Sequence, residues 1–108
     1  MIDGFWILKI LPPPVTSGGV AVFIDGKIFG GDSGFTWVGS YSVRDQLIKA
    51  RVRVHHFDPD IQSILGQEGD YDMHISGTLD GDTVTGTAMV ANQSQHSLAI
   101  RLEKRAEL

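Results

Sequence analysis

The sequence predicts an all-β domain, an eight-stranded antiparallel up-and-down barrel, with a two-sheet β-sandwich as the alternative. Three features predict it. Apolar and polar residues alternate with period two over at least three segments, which marks half-buried strands. Two Asp-Gly pairs stand between strand-like runs, the strongest short hairpin signal. Several of the 13 glycines, among them Gly39, Gly77 and Gly86, fall inside strands, where barrels bend. A meander of short strands must hide its edges, and closure into a barrel hides all of them.

In chain order, strands are expected at 4–11, 18–24, 27–31, 35–43, 46–57, 70–79, 82–91 and 96–104. The first is apolar from Phe5 to Leu11, interrupted by Lys9 and stopped by Pro12-Pro13-Pro14. Asp25-Gly26 closes the hairpin between the second and third, with positive φ expected at both central residues. Gly30-Gly31-Asp32-Ser33-Gly34 is a turn in which Asp32 bonds its own backbone, and Val43-Arg44-Asp45-Gln46 is another reversal. In the fifth strand Ile48, Ala50, Val52 and Val54 face one way, and Lys49, Arg51, Arg53 and His55 the other. Asp58-Pro59 opens and Gly66 ends a segment read as one or two helical turns, with Ile61, Ile64 and Leu65 against the strands. Tyr71, Met73, Ile75 and Leu79 then oppose Asp72, His74, Ser76 and Thr78. After the Asp80-Gly81 hairpin, Val84, Gly86, Ala88 and Val90 oppose Thr83, Thr85, Thr87 and Met89.

With 108 residues and an apolar fraction of 42%, the chain suffices for one domain, 1–108, around one modest core. Cysteine is absent, so disulfides, thiolate metal sites and a cysteine nucleophile are excluded. A net charge of −4 gives no general attraction to nucleic acid or anionic membranes. Asp3 stands where a secretory leader carries bases, so the cytoplasm is the expected compartment.

The run Gly18-Gly19-Val20-Ala21-Val22-Phe23-Ile24-Asp25-Gly26-Lys27-Ile28-Phe29-Gly30-Gly31-Asp32-Ser33-Gly34-Phe35 resembles the signature of the GrlR-like family of small bacterial proteins. Val38-Gly39-Ser40-Tyr41, Ala50-Arg51-Val52-Arg53-Val54, Gly77-Thr78-Leu79-Asp80-Gly81-Asp82 and Gly86-Thr87 fit it too, so the resemblance covers nearly the whole chain. It implies a lipocalin-like barrel that dimerises and a negative regulator of type III secretion genes that binds a transcriptional activator. That regulator carries a run of acids at one turn, where this chain has Ser42-Val43-Arg44-Asp45-Gln46, with one acid and one base. The change leaves the implied fold intact but not the implied partner. Gly4-Phe5-Trp6 is similar to the Gly-x-Trp of lipocalins, whose tryptophan plugs the barrel base.

No catalytic constellation emerges. Gly31-Asp32-Ser33-Gly34 resembles a protease nucleophile region, but the chain is about half the length that fold needs and no oriented base accompanies the serine. His55 and His56 are adjacent in a strand and point to opposite faces, so they cannot chelate one ion. Pairing through the loop between the fifth and sixth strands is expected to put His55 near Asp72 and Arg53 near His74. Asp58-Pro59-Asp60 and Asp80-Gly81-Asp82 read as capping and hairpin chemistry rather than calcium loops.

The chain is therefore expected to be a non-enzymatic regulatory protein-binding module acting as a homodimer, without cofactor, metal, nucleic acid or membrane. Lys49, Arg51 and Arg53 are the candidate partner-binding surface, and outward Phe5, Ile7 and Met89 are candidates for self-association. The alternative is a lipocalin-like carrier or sensor of a small apolar ligand. Its pocket would be lined by Trp6, Leu8, Trp37, Tyr41, Val54, Tyr71 and Met73, within an inward set that also holds Ile10, Val52 and Ile75. The short strands and the aromatics in this set favour a filled interior, with room for a small pocket near the helical segment.

Overall fold

The computed structural model describes residues 2–11, 18–62, 69–91 and 93–108. Eight strands run in order: β1 (Gly4–Leu11), β2 (Gly18–Ile24), β3 (Lys27–Gly31), β4 (Phe35–Arg44), β5 (Leu47–His56), β6 (Tyr71–Asp80), β7 (Thr83–Val90) and β8 (Gln93–Ala106). Each pairs antiparallel with the next, and β8 returns to β1, closing a barrel. The barrel thus prevails over the sandwich. The strand bounds match expectation to within a residue except for β8, which begins three residues earlier and ends two later.

Turn chemistry explains how consecutive strands meet. Asp25 and Gly26 both take positive φ, 49° and 79°, as a right-twisted two-residue hairpin requires. Asp45 and Gln46 do the same without glycine, at 52° and 68°. The second Asp-Gly hairpin differs from expectation. Asp80 pairs with Thr83, so the central residues are Gly81 and Asp82, and Gly81 alone takes positive φ, 60°. Glycine at the first central position is the other favoured hairpin arrangement.

The segment after β5 also departs from expectation. Over its described part it forms a turn, in which the Ile61 N–H donates to the Asp58 carbonyl at 3.1 Å. Residues 63–66, including Ile64 and Leu65, lie outside the described residues.

Alternation places one apolar face of every strand inside. Trp6, Phe23, Ile28, Ile48, Val52, Val84, Ile100 and Leu102 are among the buried core residues. The end of the barrel at the start of β1 is closed. Trp6 is 0% exposed and its indole N–H donates to the Ile2 carbonyl at 2.9 Å. The ring lies 5.7 Å from Phe23, which lies 5.1 Å from Tyr41. The Lys104 ammonium sits 5.9 Å over the Trp6 ring and pairs with Glu107 at 2.7 Å. The Tyr41 hydroxyl donates to Asp3 at 2.8 Å, which ties the N-terminal segment to this floor. Burial and this hydrogen bond raise the phenol above its ordinary pKa. Among the described residues, no helix is long and apolar enough to cross a membrane.

Candidate functional site

Above this floor the barrel is hollow. A cavity of about 220 Å³ extends from Phe23 and Val84 to the opposite end, where Asp32, Ser33, Ile61 and Gln62 form its rim. Five of the seven expected pocket residues, Leu8, Trp37, Val54, Tyr71 and Met73, line it. Trp6 and Tyr41 belong to the floor instead. Trp6, Phe23 and Tyr41 fill one end, and the space that remains opens toward Ile61 and Gln62 between aliphatic side chains and the rings of Phe35, Trp37 and Tyr71.

The rim has a defined build. Asp32 Oδ1 accepts the N–H groups of Gly34 and Phe35, each at 2.9 Å, and the Asp32 N–H donates to the Phe35 carbonyl at 2.9 Å. The predicted turn is therefore present, and Ser33 is an exposed residue within it. The Gly34 carbonyl accepts Phe57 N–H at 3.0 Å, and Ile61 packs so closely on Gly34 that a side chain there would meet it. The His56 ring stacks on Phe35 at 4.3 Å and contacts the Ile61 carbonyl through Nε2 at 2.6 Å. These contacts hold Ile61 over the cavity edge.

The outer face of β5 carries the predicted bases, but their partners sit two residues away from expectation. Arg53 faces Asp72, at 3.1 Å, and Arg51 faces His74. His55 reaches beyond β6 to Asp70, with Nδ1 at 2.9 Å. A slip of two residues keeps every side chain on its own face, so alternation cannot reveal it. Arg53 is thus charge-compensated, while exposed Lys49 and Arg51 are flanked by Ser42 and Ser40 of β4 and by Ser76 and His74 of β6. Among the described residues, no group of three or more histidine or acidic side chains is placed to hold a metal ion.

Sequence reasoning missed a second outer feature. Phe5, Val22, Phe29 and Val38 stand directly opposite one another across β1, β2, β3 and β4, forming an apolar row on the outside. Ile7 and Val20 form a shorter row beside it. Phe29 is 44% exposed and Val38 49%, whereas the expected Phe5, Ile7 and Met89 are half-buried. The signal was the apolar residue at every position of 20–24, which alternation alone assigns half inward. Val38 faces Arg53, so the apolar row ends where the basic strand begins.

A family model for the type III secretion system negative regulator GrlR matches residues 1–106. The chain belongs to the GrlR family. No curated protein matches it. In this GrlR-family chain the turn at 44–47 is exposed and presents Arg44 and Asp45 beside Val43 and Leu47, 40% and 55% exposed.

Proposed function

We propose that this GrlR-family protein is a non-enzymatic, cytoplasmic regulatory module that binds another protein and works as a homodimer. One observation carries the reading: the outer surface is divided into an apolar row over β1–β4 and a basic strand, β5, that adjoins it. Exposed apolar side chains in a contiguous row suit a self-complementary contact. Lys49 and Arg51, with no acidic side chain opposite on either neighbouring strand, suit an acidic partner, whose approach they steer and whose register they fix. The single acid at 42–46 makes that partner different in charge from one that recognises an acidic run.

The test is capture from a lysate of the cells that carry the protein, compared with the double variant Lys49→Glu, Arg51→Glu. Both side chains are exposed, so the variant should fold normally. Its captured proteins should be lost, and wild-type capture should weaken as salt rises. Equal capture by the variant would refute the reading.

A further inference from the structure

We propose that the barrel interior is a binding site for an uncharged aliphatic or alkyl-aromatic molecule of roughly nine carbons whose hydrogen-bond donor rests at the Asp32 rim. The inference goes beyond the regulatory reading and stands whether or not a protein partner binds outside. It begins with packing. Leu8, Ile10, Trp37, Tyr71, Ile75 and Leu98 all line the cavity, and none is fully buried. Protein interiors are normally packed as densely as organic crystals, and side chains lining a void forfeit contacts on that side. An apolar ligand would restore them.

Size and polarity narrow the class. An apolar cavity of about 150 Å³ stays dry and takes benzene, six carbons. Scaled to this cavity of about 220 Å³, the same ratio gives the size stated above. Among the described residues the lining includes no lysine or arginine, and its one charged residue is Asp32 at the rim. An anionic headgroup would thus meet a like charge with no counter-ion in the wall, which opposes carboxylates and phosphates. Asp32 Oδ1 is already held by two N–H groups. The carboxylate's second oxygen makes no hydrogen bond among the described residues and suits a hydroxyl or amide donor.

The two tryptophans make the test specific, because Trp37 is in the cavity wall and Trp6 is under the floor. Titration of ¹⁵N-labelled protein with 1-nonanol should shift the Trp37 indole resonance saturably and leave that of Trp6 nearly unchanged. The melting temperature should rise with nonanol concentration, as for any ligand that binds only the folded state. Nonanoate at neutral pH should bind at least tenfold more weakly. Ala50→Phe, which places a ring in the cavity, should abolish the Trp37 response; if it does not fold, Ile75→Phe serves the same purpose. The proposal is overturned if the folded wild type gives no saturable shift with either probe, or if both indoles respond alike. It is equally overturned if nonanoate binds as well as nonanol, or if a folded cavity-filling variant still responds.

Discussion

The indole of Trp37 lies against the backbone of Gly30, its directly opposed neighbour on β3, so closely that Gly30 has no room for a side chain. A methyl group there would run into Trp37 Nε1 and the Val20 carbonyl oxygen. Gly19 on β2 supports the same ring, and a Cβ there would lie 2.8 Å from it, too close for a side chain. Gly19 and Gly30 thus provide a flat seat for one tryptophan of the cavity wall. Gly30→Ala should cost about 1–3 kcal/mol through overpacking. Its denaturant midpoint should fall without a change in slope, accompanied by altered Trp37 emission; an unchanged midpoint would mean that the seat is not tight.

The floor depends on Trp6 in a different way. Its indole is fully buried, covers Phe23 and supports Lys104, and its N–H holds Ile2. Trp6→Ala should cost about 3–5 kcal/mol and open the closed end of the barrel. Chemical denaturation measures the loss, and a value under about 1 kcal/mol would place the tryptophan outside the energetic core.

What could be read from the sequence follows from how each feature is encoded. Alternation at 47–56 and 71–79, bounded by turns, fixes which side of each strand faces inward, because a one-residue slip would expose the core. The two-residue displacement of His55 from Asp72 to Asp70 leaves that pattern unchanged and is set by strand pairing. The closed floor was hidden for a related reason. Trp6, Phe23 and Tyr41 are spread over 36 positions of sequence, and only the register gathers their rings at one end. The outer apolar row likewise comes from four strands and exists only once they are aligned.

Acid should loosen the outer edge of the rim. The hydrogen bond from the His55 ring, then the His56 backbone N–H, hold the Asp70 carboxyl below its ordinary pKa of 3.8. A carboxyl whose pKa is depressed on folding adds stability above the unfolded value, and that addition is lost as pH falls through the folded value. Wild type should therefore melt above Asp70→Asn at neutral pH, and the gap should close as the solution is acidified below the ordinary aspartate range. A gap that is constant with pH would assign the difference to something other than ionisation.

The apolar row provides the sharpest test of assembly. Phe29 and Val38 are opposed on adjacent strands, both substantially exposed, and together they form the half of the row that adjoins β5. Their exposure means that Phe29→Ser with Val38→Ser removes little from the barrel's own core. If the row is the contact between two copies, wild type should scatter light as a particle of twice 11.8 kDa, and the double variant as one of 11.8 kDa. A stable contact of this kind buries roughly 1,200–2,000 Å² in total, more than these two side chains supply, so Phe5, Val22, Ile7 and Val20 must be covered with them. Circular dichroism should show the same strand content in both forms. A wild type that is monomeric at micromolar concentration, or a double variant that remains a dimer, would remove the row from the assembly.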